Sequence, residues 1–281
     1  MKTFNTIYEL KDYLSSLKKS KSIGFIPTMG SLHNGHLNLI QHSRKNNDYT
    51  ICSVFVNKIQ FNNQEDFIKY PRNIEEDIKS LSFAGCDIAF FPSQEEIFPP
   101  NHNYEVFNLG SIENILEGFY RPGHFQGVCN VVDRLINIIQ PNKLYLGLKD
   151  LQQCKVIEKM IKLKSYQPEV ELVFCETIRD SNGLALSSRN KRLSKKALEQ
   201  AVILINTLRY AKSQILHSTI DLSSIYKESI DSIKSNGFES VDYFEFVDEN
   251  FEIIKNYKEI PKYILTAATI EKVRLIDNII I

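Results

Sequence analysis

The sequence predicts an α/β protein, a parallel sheet covered on both faces by helices, followed by a smaller α+β unit. Three observations predict it. Short apolar runs of strand length alternate with segments of helical periodicity up to position 175, and such alternation builds right-handed βαβ units around a parallel sheet. Polar clusters fall directly after four of those runs, at residues 28–36, 57–61, 147–153 and 178–189, where ligands bind in open parallel sheets. After Arg192 the order changes to helices and then strands without alternation, which is the α+β pattern.

Taken in order, Ile7, Leu10, Leu14 and Leu17 recur at helical spacing and predict an opening amphipathic helix. Ser22-Ile23-Gly24-Phe25-Ile26 reads as a buried strand, and helical periodicity resumes at Leu37 and Ile40. Residues 49–56, with Val54 and Val56, form a second buried strand. Ile74, Ile78, Leu81 and Ala84 mark a helix that Gly85 ends. Residues 87–91 are a third strand, stopped by Pro92, and a polar loop with three prolines follows to position 100. Residues 104–109 are read as an added strand. Val128, Val131, Val132, Leu135 and Ile139 form a helix that stops before Pro141. Then come a strand at 143–146, a helix at 150–163 and a strand at 169–175. Ser194 caps one long helix reaching about position 216, and 222–235 is another. Strands follow at 241–247, 263–268 and 273–279. The boundary is placed at residue 180, giving domains 1–180 and 181–281.

Bulk properties narrow the function. A chain of 281 residues suffices for one large domain or two ordinary ones. Lys plus Arg and Asp plus Glu are each 34, so net charge is zero. That excludes a general nucleic-acid surface, though not a local anion site. The five cysteines, at 52, 86, 129, 154 and 175, contain no Cys-x-x-Cys pair. An odd, scattered set fits reduced thiols better than a disulfide framework or a zinc site. The first residues lack the apolar core of a signal peptide, and no run approaches the roughly 18 apolar residues of a membrane span. A cytoplasmic protein binding neither membrane nor nucleic acid is expected.

The chemistry is concentrated in Pro27-Thr28-Met29-Gly30-Ser31-Leu32-His33-Asn34-Gly35-His36. Strand, glycine-bearing turn and helix N-terminus is the arrangement that presents free backbone N–H groups to a phosphate. His33 and His36, three apart on the first turn, can face one anion, and Gly30 and Gly35 permit close approach of a ligand. The plainer reading is a helix cap with a half-buried imidazole. Two histidines without Cys or a Glu-x-x-His arrangement argue against zinc.

Other clusters add to it. In Gly147-Leu148-Lys149-Asp150 with Gln152 and Gln153, Lys149 could lie on a phosphate as a point charge and Asp150 could accept from a ribose hydroxyl. A capping Asp150 beside a solvated Lys149 is the alternative. Ser187-Ser188-Arg189-Asn190 offers hydroxyls and a guanidinium, which forks two oxygens and suits pyrophosphate; a polar loop before a helix reads equally well. Asn57 and Gln60 are neutral donors and acceptors suited to a small acid. Arg121-Pro122-Gly123-His124-Phe125 either closes over a nucleotide or caps the next helix. Asp77 could help hold a metal, although a solvated helix face is the commoner reading.

Together these residues resemble the pantothenate synthetase (pantoate–β-alanine ligase) family of the nucleotidyltransferase superfamily. Besides the clusters above, the matching residues are Val56-Asn57 with Gln60-Phe61, Glu65-Asp66 with Tyr70-Pro71-Arg72, residues 121–128, Asp180 through Asn190, Asp242-Tyr243-Phe244-Glu245, and Arg274-Leu275-Ile276-Asp277-Asn278. They run in order over nearly the whole chain. The resemblance implies a Rossmann-like N-terminal domain with a smaller lid domain, and a two-step reaction. ATP and (R)-pantoate give pantoyl adenylate and pyrophosphate, with Mg²⁺ on the phosphates; β-alanine then releases AMP and forms pantothenate.

By the family pattern, ATP is bound by Met29, Gly30, Ser31, Leu32, His33, Asn34, Gly35 and His36. Gly147, Leu148, Lys149, Asp150, Ile178, Leu186, Ser187, Ser188 and Arg189 also bind it. His36 is the proton donor, and His33 and Lys149 stabilise the phosphates. Gln60 touches pantoate and β-alanine, Gln153 touches pantoate, and Asn57 lies with β-alanine. A homodimer is implied as well. Two departures stand out: Leu148 where the family commonly has Glu, and Lys58 where Pro commonly follows Asn57. Two other readings compete: an adenylyltransferase acting on a phosphate ester, with no use for β-alanine, and a nucleotide-binding regulator without catalysis.

Overall fold

The strand order of the larger sheet sets where a ligand can sit. The computed structural model describes residues 1–17, 20–166, 169–217, 221–254 and 259–281. The chain divides into two units, Met1–Leu148 with Gln152–Glu176, and Lys149–Leu151 with Thr177–Ile281.

In the first unit the elements run β1 (Lys2–Phe4), α1 (Ile7–Ser16), β2 (Ile23–Thr28), α2 (Asn34–Asn46), β3 (Tyr49–Val54), α3 (Gln64–Ile68), α4 (Ile74–Ala84), β4 (Ile88–Phe90), α5 (Gln94–Ile97), α6 (Glu117–Tyr120), α7 (His124–Ile139), β5 (Lys143–Gly147), α8 (Leu151–Leu163) and β6 (Glu171–Cys175). The six described strands form one sheet, order β1-β4-β3-β2-β5-β6, with every pair parallel. Strands buried on both faces read as continuous apolar runs, and Phe25, Ile26, Ile51, Cys52, Leu144 and Tyr145 are all fully buried. The chain winds outward from β2 through β3 to β4 and then crosses to β5 on the other side. The order therefore reverses between β2 and β5, and the crevice beyond their carboxyl ends is the expected ligand position. Thr28 and Gly147 end those two strands.

One core layer joins β2 and β3 to α2 and α4 through Ile26, Leu39, Ile40, Cys52, Leu81 and Ala84. The five cysteines are buried, and none forms a disulfide. Burial pushes Cys175 up to about 11 and Cys86 up to about 12, and lifts Cys52 and Cys129 as well.

The second unit holds α9 (Lys195–Ala201), α10 (Ile203–His217), α11 (Leu222–Ser235), β7 (Ser240–Val247), β8 (Tyr263–Ile270) and β9 (Val273–Ile280). Its three described strands are antiparallel in the order β7-β8-β9. Leu204, Leu208, Ile225 and Ile233 of the helices share a core with Phe244, Phe246, Ile264, Val273 and Leu275 of the sheet.

Three expectations change. Residues 104–109 are not a strand. Their backbone groups pair instead with two amides one turn apart on α7: Glu105 N–H donates to Asn130, Phe107 N–H donates to Gln126, and both amides donate back to the same residues' carbonyls. Ser194 does cap a helix, accepting from the Ala197 N–H, but the helix breaks at Val202, so two helices replace the expected long one. Strand β1 is an addition. It is an edge strand of three partly exposed residues, too short and too polar to show a period.

Candidate active site

The turn after β2 is held from behind by a carboxylate. Asp77, on the first turn of α4, is 2% exposed, and its two oxygens accept the backbone N–H groups of Ser31 (3.0 Å) and Leu32 (2.8 Å). Asp77 is thus no solvated helix residue, and both of its oxygens are committed to the turn. Gly30 has φ +82°, and a Cβ there would lie 2.9 Å from both Asp77 Oδ2 and Val54 Cγ1, so only glycine fits. Ser31 is left-handed too, at φ 51°. That strain costs about 1–3 kcal/mol and is offset where Asp77 receives its N–H.

The free backbone donors expected here are not free. Gly30 N–H donates to Thr28 Oγ1, Ser31 and Leu32 to Asp77, His33 to His36 Nδ1 and Gly35 to His33 Nδ1. These five N–H groups are therefore taken, within the turn or by Asp77.

The two histidines cap α2. His33 is the cap residue, and it and His36 form a reciprocal capping box, the role usually given to Ser or Thr with Glu or Gln. Their rings lie 4.0 Å apart, tilted by 34°. Each Nδ1 accepts a backbone N–H, which puts the proton of each neutral ring on Nε2 and makes Nε2 the donor. Gly35 makes room for this pair: a Cβ there would fall 2.8 Å from the His33 ring. The cap uses Nδ1 of each ring and not Nε2.

The turn after β3 meets the turn after β2. Gln60 donates from Nε2 to the Met29 sulfur at 3.1 Å, and its Oε1 accepts from Asn57 Nδ2 at 3.0 Å. Asn57 is 1% exposed, and its Oδ1 is buried with no hydrogen-bond partner among the described residues. A buried acceptor left open beside Gln60 is suited to a ligand donor. Lys58 is exposed at the first position of the 3₁₀ turn Lys58–Gln60; proline suits such a position by fixing φ, and lysine there replaces only that restraint.

Helix α7 holds this segment in place. His124, 5% exposed, faces the Gln60 carbonyl through Nδ1 at 2.8 Å. Asn57 Nδ2 also donates to the Gly127 carbonyl. A Cβ on Gly127 would come within 2.7 Å of Gln60 Cα and Ile59 O. The 121–125 turn is therefore anchored under Gln60 through His124. Sequence reasoning misses Gly127; its signal is the glycine three residues beyond Gly123-His124 inside a helical pattern.

Gly147 ends β5, and Leu148–Asp150 make one 3₁₀ turn before α8. The two amides that follow divide. Gln152 is 2% exposed, accepts from the Glu117 N–H and donates to the Ile112 and Ile115 carbonyls, so it is structural. Gln153 is half-buried.

In the second unit, Lys149 pairs with Asp150 at 3.1 Å. Ile178 and Leu186 are brought together by a tight hairpin, with Leu186 N–H donating to the Ile178 carbonyl at 3.0 Å and Arg179 bridged to Ala185. Ser187 caps the next 3₁₀ turn by accepting the Arg189 N–H. Ser188 is buried and Arg189 half-buried on that turn. Met29–His36, Asn57, Gln60, Gly147, Leu148 and Gln153 thus lie in the first unit, and Lys149, Asp150, Ile178 and Leu186–Arg189 in the second.

The chain is similar to known proteins over its whole length. Residues 2–280 match the family model for pantoate-beta-alanine ligase. The chain is 42% identical to the pantothenate synthetase of Acetivibrio thermocellus, over all of this chain and 99% of that one. It is 43% identical to that of Caldicellulosiruptor bescii, over 98% and 97%. The crystal structure of pantothenate synthetase from Thermus thermophilus superposes with a TM-score of 0.90 at 34% identity, over 99% of each chain. The Francisella tularensis pantoate-beta-alanine ligase complexed with beta-gamma ATP and beta-alanine gives 0.85 at 37% identity, over 100% and 97%. With a full-length family match, the parallel sheet and the histidine turn at its switch point, the chain belongs to the pantoate-beta-alanine ligase family.

Proposed function

We propose a division of labour among these side chains for the reaction of the family. The chain is an ATP-dependent ligase that condenses (R)-pantoate with β-alanine through pantoyl adenylate, releasing AMP and pyrophosphate. The observation that carries the assignment is the Met29–Gln60 contact at 3.1 Å, which puts the histidine turn and the Asn57–Gln60 pair side by side. One holds phosphate, the other a small acid.

In the first step a pantoate carboxylate oxygen attacks the α-phosphorus and pyrophosphate leaves. Negative charge spreads over the phosphoryl oxygens, and donors fixed in advance stabilise it without reorganising. His33 and His36 act through Nε2–H as hydrogen-bond donors to the phosphoryl oxygens, His36 on the departing phosphate, and Lys149 adds a point charge. Ser187, Ser188 and Arg189 take the pyrophosphate, Ile178 and Leu186 flank the nucleotide, and Gly147 with Asp150 receives its ribose side. Gln60 and Gln153 hold pantoate. In the second step the neutral amine of β-alanine, placed by Gln60 and Asn57, attacks the acyl carbon and AMP leaves. The acyl adenylate must be kept from water throughout, which is the role we give the C-terminal domain.

We propose that magnesium enters with the nucleotide. Mg²⁺ keeps several waters and binds through phosphates with one or two carboxylates; Asp150, about half exposed, suits it, whereas Asp77 has spent both oxygens on the turn. The ion would neutralise charge on the phosphates. Buried cysteines without disulfides fit a cytoplasmic setting, no described helix is long and apolar enough to cross a membrane, and a homodimer is proposed as the assembly. Mass spectrometry of a mixture of protein, ATP, Mg²⁺, pantoate and β-alanine should show AMP and pantothenate in equal amounts. AMP forming at the same rate without either acid would overturn the assignment.

A further inference from the structure

The C-terminal strand carries a pair of polar residues that the reaction as described does not use. Asp277 and Asn278, near the end of β9, are 3% and 7% exposed. Asp277 lies on the same side of the strand as the core residues Val273 and Leu275, since residues two apart share a face. A carboxylate there has to be paired. It receives both arms of the Arg179 guanidinium, at 2.6 and 2.9 Å, and the Asn278 N–H at 2.8 Å. Arg179 also donates to the Gly183 carbonyl, so this fork fixes the hairpin that brings Ile178 beside Leu186. Asn278, on the opposite face, donates from Nδ2 to the Lys149 carbonyl at 2.9 Å. All of these residues belong to the second unit.

We propose that Asp277 and Asn278 are positioning residues for ATP, Asn278 through Lys149 and Asp277 through the Arg179 hairpin. A lysine ammonium ends a flexible stem, and its reach is set by the backbone that carries it. In the single 3₁₀ turn at Leu148–Asp150, the Asn278 bond fixes the Lys149 peptide, and with it the origin of the side chain. The inference rests on Lys149 acting on the phosphates.

The test measures pantoate-dependent ATP–pyrophosphate exchange for Asn278→Ala, Lys149→Ala and the double variant. Misplacing a catalytic group by about 1 Å costs up to about 10²-fold, so Asn278→Ala should lower kcat about 10- to 100-fold with the KM for pantoate within about twofold of wild type. Because both changes act on one group, the double variant should be no slower than Lys149→Ala alone. Asn278→Asp has the same size but no N–H to donate, and should be as slow; it replaces Asn278→Ala if that variant melts below the assay temperature. A slow Lys149→Ala with Asn278 variants at wild-type rate, or with losses that multiply, would overturn the positioning role alone. A Lys149→Ala variant within threefold of wild type would overturn both it and the phosphate role of Lys149.

Discussion

His36→Gln is expected to lower turnover about 10²–10³-fold, the range for losing a preorganised donor, while α2 keeps its cap. Glutamine is a normal third residue of a capping box, and its carbonyl can accept the His33 N–H that His36 Nδ1 accepts now. Stability should therefore stay within about 1 kcal/mol of wild type, against a loss of about 0.5–2 kcal/mol for a missing cap. His36→Ala removes both functions and should be as slow and less stable. The two variants separate chemistry from structure. If glutamine restores more than a third of the wild-type rate, the imidazole serves the helix and not the phosphate.

Asp77→Ala should cost the most stability. The change strands the buried N–H groups of Ser31 and Leu32, each at about 1–3 kcal/mol, giving roughly 2–6 kcal/mol in all. At about 2–4 °C per kcal/mol, thermal unfolding should start several degrees lower. Ser31, left-handed at φ 51°, also loses the bond that holds it there. Turnover measured well below the new transition should fall too, because Met29 and His33 flank the released residues. A variant that melts with the wild type would mean that the turn keeps its shape without the carboxylate.

The elements that carry the reaction are the readable ones. β2, β3 and β5 are continuous apolar runs because parallel strands bury both faces, and their polar sequels stand out against them. The segment at 104–109 misleads because it is rich in apolar residues but its backbone partners are amides of α7, Gln126 and Asn130, far along the chain. The split at Val202 leaves no trace in a periodicity that continues on both sides. At the site, the residue types of the histidine turn point to phosphate, but Asp77 takes the Ser31 and Leu32 N–H groups from 46 and 45 residues away. No local pattern announces that. His124 and Gly127 are likewise readable only as a helix start until the Gln60 carbonyl is seen against them.

The five cysteines give this ligase a built-in clock. Thiolate is the species that alkylating reagents and peroxide attack, and here each cysteine is at most 3% exposed, with burial raising Cys52, Cys86, Cys129 and Cys175 well out of the reactive range. An iodoacetamide adduct can form only on molecules whose interior has opened. Labelling at neutral pH should therefore track the population of opened molecules, report on the strands and helices that house these sulfurs, and slow when ATP and pantoate are added; adducts forming within seconds on the native protein would contradict it.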